Sequence, residues 1–201
     1  MEILGYGEDA LTYWYLTEKM AELLNILEDK SNIKDCLVIY RPSFGRRGGN
    51  NSAQFGEFDS ILATPKSIYL IESKQFENQE AKKGLLNVQT LRHELFKWYF
   101  INWDENKYGT WDEFVVEQRK EFSGQFRGKK VMVDKGRLAG NLKFVINRLR
   151  SVCATNEVKN ILVVFKPNNC KNSASIIHAN AGFQMVGVNY DNVPDSNYIK
   201  M

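Results

Sequence analysis

Residues 55–76 read FGEFDSILATPKSIYLIESKQF, and this stretch decides the fold. Phe55, Glu57, Asp59, Ile61 and Ala63 alternate onto one face of a predicted strand, because strand side chains repeat with period two. Ile68, Leu70, Glu72 and Lys74 share a face of the next strand. Between them lies Thr64-Pro65-Lys66-Ser67. Proline presets φ for the second position of a type I turn, which makes Pro65-Lys66 the natural centre. A turn there pairs Thr64 with Ser67 and Ala63 with Ile68. The same register sets Asp59 opposite Glu72 and Glu57 opposite Lys74.

Two carboxylates directly opposed on a sheet face repel each other and destabilise the pair. A divalent cation between them reverses that sign, and hard cations such as Mg²⁺ take one or two carboxylates plus water and phosphate oxygens. Lys74, two residues beyond Glu72, points at the same place. Two acids, a cation and an ammonium group are parts for hydrolysing a phosphodiester.

Asp59 followed across a short hairpin by Glu72-Ser73-Lys74 resembles the PD-(D/E)XK nuclease superfamily. Residues 56–74, GEFDSILATPKSIYLIESK, are also similar to the motif core of NERD-type nuclease-related domains, in which a Gly-Glu-x-Asp strand precedes an (I/V)E-x-K strand. Phe58 stands where the name motif has proline, a position that varies in the superfamily. The resemblance implies a Mg²⁺-dependent nuclease, with Mn²⁺ as substitute, that cuts DNA as an endonuclease and leaves a 5′-phosphate. It implies Asp59, Glu72 and the Ser73 carbonyl as metal ligands, with Lys74 aligning or deprotonating the attacking water. It adds Glu8 as a further acidic ligand and Gln89 as a residue touching the active site or substrate. Each has an ordinary reading beside it. Lys74 can simply pair with Glu57, which otherwise positions the lysine or binds a second metal. Glu8 suits a helix N-terminus, where the dipole favours an acid, and Gln89 is at home on a helix surface. The resemblance leaves open a catalytically inactive nucleic-acid-binding or scaffold domain, and a nuclease for RNA or branched DNA. It also leaves open a homodimer, since duplex cleavage needs two active sites.

Around the hairpin, apolar spacing through Ala10, Tyr13, Thr17, Met20, Leu24 and Leu27 predicts a helix over about 8–28. Residues 36–40 read as a strand, and 41–52 as a Gly- and Asn-rich loop with three arginines. A helix is expected over about 85–102 with Val88, Leu91, Leu95 and Trp98 inward. Thr110-x-x-Glu113 is a capping-box pattern that opens a helix to about 122. Residues 141–152 predict a further helix, 160–165 a buried strand, and 175–178 and 183–189 edge strands or a terminal hairpin. Sequence alone thus gives an α/β chain with a mixed sheet. The restriction-endonuclease-like fold implied by the resemblance is an αβββαβ core flanked by helices. Residues 1–201 then form one nuclease domain, with a helical and basic insertion at about 104–140.

Arg46 and Arg47, beside Gly48-Gly49, are candidates for gripping phosphate, as are Lys129 and Lys130 in a second basic stretch. Solvated basic loops read the same way. Tyr13, Trp14, Trp98 and Tyr99 are expected in the core. A hydrophobic content of 43% supports a packed core. A net charge of +3 permits nucleic-acid binding without arguing for it. Cys36, Cys153 and Cys170 are too scattered for a disulfide framework or a cysteine zinc site, so a reduced, cytoplasmic setting is expected. No signal peptide and no membrane span are read. With only His93 and His178, HExxH is excluded, and GxSxG is absent. Residues 124–129, GQFRGK, fall one residue short of a P-loop and lack its Ser/Thr.

Overall fold

The computed structural model describes residues 2–45, 56–75, 87–127, 131–168, 182–193, 196 and 198–200. The Arg46 and Arg47 loop, Lys129 and Lys130, and the strand expected at 175–178 lie outside the described residues.

A five-stranded mixed sheet organises the chain. Strand β2 (Leu37–Tyr40) pairs antiparallel with β5 (Ser60–Ala63), which pairs antiparallel with β6 (Ile68–Gln75). Strands β7 (Val158–Pro167) and β8 (Phe183–Tyr190) continue from β6 in parallel. The hairpin register is the one the proline turn dictates: Ala63 faces Ile68 and Ser60 faces Ile71. Strand β8 is an edge strand, but it runs parallel to β7 rather than closing a terminal hairpin. Outside this sheet, β1 (Leu4–Tyr6) pairs with β9 (Tyr198–Lys200), and β3 (Ser43–Phe44) with β4 (Gly56–Glu57).

The continuous strand expected over 55–63 is broken. Before Ser60 the chain is not paired with β6, and Gly56 and Glu57 pair with β3 instead. Phe58 causes the departure by burying fully with Phe44 and Phe96, their rings 5.4–5.8 Å from its own. Phe58 and Ile61 therefore enter the same cluster, which strict alternation forbids.

One face of the sheet is covered by α1 (Gly7–Glu18) and α2 (Met20–Ile26), whose Leu11, Tyr15, Leu23 and Leu24 pack on Leu62, Tyr69 and Ile71. The single helix expected over 8–28 thus breaks near Lys19, and the break shifts the buried stripe. In α1 it runs through Leu11, Thr12, Tyr15 and Leu16, leaving Tyr13 and Thr17 exposed. Trp14 is half-buried. The other face carries α3 (Asn87–Asn102), α4 (Glu105–Tyr108), α5 (Trp111–Gln125) and α6 (Gly136–Arg150). Leu95, Trp98 and Tyr99 of α3 are buried as expected, whereas Val88 near its start is 69% exposed. Thr110 and Glu113 close the reciprocal capping box at the head of α5. Trp111, Phe114 and Phe122 of α5 share their cluster with Trp98, Tyr99 and Trp103, so the region read as an insertion contributes core. Among the described residues, no helix is long and apolar enough to cross a membrane.

A buried acid fastens the hairpin turn. The Asp29 carboxylate accepts hydrogen bonds from the Thr64 hydroxyl (2.7 Å), the Tyr69 hydroxyl (2.8 Å) and the Ser31 backbone and hydroxyl (2.9 and 2.6 Å). Burial pushes its pKa up, but these bonds outweigh burial and hold it at about 2.

Candidate active site at the open end of β6

The site forms where β5 has ended and β6 continues. In continued register the Ser73 N–H would donate to the carbonyl of residue 58, which the strand break removes. The Asp59 carboxylate takes its place, accepting from Ser73 N at 2.7 Å. The break that overturns the expected strand therefore seats Asp59 against the second strand.

Glu72 and Lys74 come from β6 and are 3% and 8% exposed. The Lys74 ammonium donates to Glu72 Oε1 at 3.0 Å, to the Ser73 carbonyl at 2.9 Å and to Glu8 Oε2 at 3.4 Å. Glu8 sits in the first turn of α1, so this ammonium ties the helix to the strand. Burial alone would depress the lysine, but Glu72, Glu8 and Asp59 together raise its pKa, so it is an ammonium at neutral pH. Asp59 moves the other way from an ordinary acid. Burial first, and then the Glu72 charge, push it up to about 6, against the opposing Ser73 N–H and Lys74.

Gln89 and a residue the sequence reading passes over, Arg92, reach the site from α3. Gln89 Nε2 lies 3.5 Å from Glu72 Oε1, a long contact. Arg92 Nη1 is 3.6 Å from Glu72 Oε2, which has no hydrogen-bond partner among the described residues. Arg92 also donates to the Glu57 carbonyl and lies over the Phe58 ring. Gly56 makes room for it. A Cβ there would sit 3.0 Å from Arg92 Nε, and Gly56 has φ +106°. The spacing of Gln89 and Arg92, three residues apart on one helix face, is the available signal for Arg92.

Glu57 does not face Lys74. The strand break turns it to Arg41, whose Nη2 is 3.3 Å from Glu57 Oε2 and whose other terminal nitrogen meets Asp9. His93, one position beyond Arg92, is fully buried, stacked on Phe58 and bonded through Nδ1 to Asn160 at 3.0 Å. Burial pulls its pKa down to about 3, so it is neutral and structural at physiological pH.

The structure thus brings together Asp59, Glu72, Lys74 and Glu8, with Gln89 at the margin. Among the described residues, no three His, Cys, Asp or Glu side chains are gathered as a metal ion would gather them. The donor set nonetheless suits a hard divalent cation: it is all oxygen, it includes a buried Glu72 oxygen without a hydrogen bond, and the Glu72 charge raises Asp59. Comparison of the chain with protein-family models, curated proteins and solved structures finds no match.

Proposed function

We propose that this chain is a Mg²⁺-dependent nuclease of the PD-(D/E)XK type, with a restriction-endonuclease-like fold, that hydrolyses DNA as an endonuclease. The observation that carries the reading is the Lys74 ammonium, shared by Glu72 and Glu8 with Asp59 alongside, at the free end of a two-strand step. Asp59, Glu72, Glu8 and the Ser73 carbonyl would hold the ion. When bound, Mg²⁺ (or Mn²⁺) polarises the phosphoryl group and lowers the pKa of the attacking water. Lys74, kept cationic by its three acids, orients that water and steadies the negative charge that develops on the phosphate. It is too basic to take the water's proton. Gln89 and Arg92 hold the Glu72 carboxylate from α3. In-line attack would form the new P–O bond as the bond to the 3′-oxygen breaks, leaving a 5′-phosphate; the water's proton passes to solvent, and the departing 3′-oxygen takes one up to become a hydroxyl. Cutting both strands of a duplex would engage two copies of the chain.

One observation favours a second reading, a nucleic-acid-binding or scaffold domain without catalysis. Lys74 is ion-paired with both Glu72 and Glu8, as in a purely structural cluster. Plasmid incubated with Mg²⁺, beside EDTA and Lys74→Ala controls, separates the two. Nicking lost in both controls supports the nuclease; nicking that survives both, or none across DNA, RNA and branched substrates, removes it.

A further inference from the structure

The helix that carries Glu8 is bordered by exposed aromatic rings. Tyr6, just before α1, is 64% exposed and lies 5.4 Å from Tyr198, itself 47% exposed. Tyr13, two turns into α1, is 47% exposed and meets Tyr40 edge to face at 5.5 Å. Tyr40 is anchored, its hydroxyl donating to the Asp9 carbonyl at 2.7 Å. Across the sheet Tyr40 faces Ser60, the neighbour of Asp59, and the backbone N–H of Arg41 beside it donates to the Asp59 carbonyl at 3.1 Å. The aromatic edge is therefore continuous with the candidate active site.

Core packing does not account for these rings. The helix buries Leu11 and Tyr15 instead, and Tyr13 stands on the opposite side. A cross-strand Tyr6–Tyr198 pair adds at most ~1 kcal/mol to the sheet. Outside the proposed metal site this edge does not suit phosphate, because Asp9 and Glu57 line it and occupy Arg41. A polymer lying here is gripped by its bases. Base stacking on aromatic side chains is sequence-tolerant, since every base has a π-face.

We propose that Tyr6, Tyr13, Tyr40 and Tyr198 form a stacking platform for unpaired bases, so that the substrate presented to the acids is single-stranded or locally unpaired nucleic acid. This rests on the nuclease reading for its purpose, but not for its test. In EDTA, where no cutting occurs, a fluorescent oligothymidylate is titrated with the protein beside an abasic oligonucleotide of equal length and charge. Oligothymidylate is expected to bind at least ~tenfold more tightly. Tyr13→Leu and Tyr6→Leu should each weaken it roughly five- to a hundredfold, while Tyr13→Phe retains affinity and reports that the fold is intact. Equal affinity for the two probes overturns the proposal, as does a Tyr13→Leu protein that binds like the parent. Tighter binding of a blunt duplex also overturns it, and the patch is then a protein-docking surface. A chain that stacks bases yet never cuts would refute the nuclease reading alone.

Discussion

Asp59→Asn should make the protein more stable while destroying its proposed chemistry. Asp59 titrates at about 6 in the fold and near 3.8 as a free side chain, because burial and the Glu72 charge oppose its ionisation. The folded chain therefore holds this proton about a hundredfold more tightly than the unfolded one. At 1.36 kcal/mol per tenfold, ionising Asp59 at neutral pH costs the fold up to ~3 kcal/mol. The residue is only partly buried, so a gain of about 1–2 kcal/mol is expected on removing the charge. Asparagine keeps an oxygen for the Ser73 N–H, so the strand end stays satisfied. The sign follows from proton binding. The native state holds the extra proton, so the parent loses stability as pH rises from about 4 to 6, and the variant does not. Urea unfolding followed by tryptophan fluorescence, at pH 4 and pH 7.5, measures both proteins. The variant should be the more stable at pH 7.5 and equal at pH 4, with Mg²⁺ narrowing the gap by binding only the parent. No gain at pH 7.5, or the same gain at both values, would refute the electrostatic reasoning.

Three further outcomes are expected. Asp29→Asn should cost about 2 kcal/mol at pH 7, since a carboxyl held at about 2 stabilises the fold above its unfolded value near 4 and loses that contribution as pH falls toward 2; the deficit seen in urea melts should shrink in acid. Gly56→Ala should destabilise by ~1–3 kcal/mol, because it places a side chain at φ +106° and pushes a Cβ against Arg92. Plasmid nicking should fall further than the melting temperature implies, and a fully active Gly56→Ala protein would detach Arg92 from the site. Thr110→Ala should cost ~1 kcal/mol by opening the capping box of α5, measured as a shift in the urea midpoint.

The hairpin is legible because its information is local. Pro65 fixes the turn, the turn fixes the register, and four pairs from Ser60 to Ala63 follow. The same arithmetic fails at Glu57 because Phe58 is claimed by Phe44 and Phe96, partners remote in sequence that alternation cannot encode. Asp59 and Lys74 still lie beside Glu72 on β6, Asp59 through a side-chain bond to Ser73 rather than through a continued strand. Arg41 is unreadable as a site neighbour because its partners lie on other elements, and for Arg92, whose partner Glu72 also lies on another element, the three-residue spacing from Gln89 is the one local signal. Tyr13 is misplaced by a helix break near Lys19, which shifts the buried stripe without any proline or glycine to announce it.

The pairing of β1 with β9 has a consequence for how Glu8 is held. The strand leading into its helix is paired with Tyr198–Lys200, a segment remote in sequence, while its carboxylate is tied to Lys74 of the central sheet. Trimming Tyr198–Lys200 would therefore loosen the entry into α1, and with it the anchorage of Glu8, while Glu72 and Lys74 stay fixed by the pairing of β6 with β7.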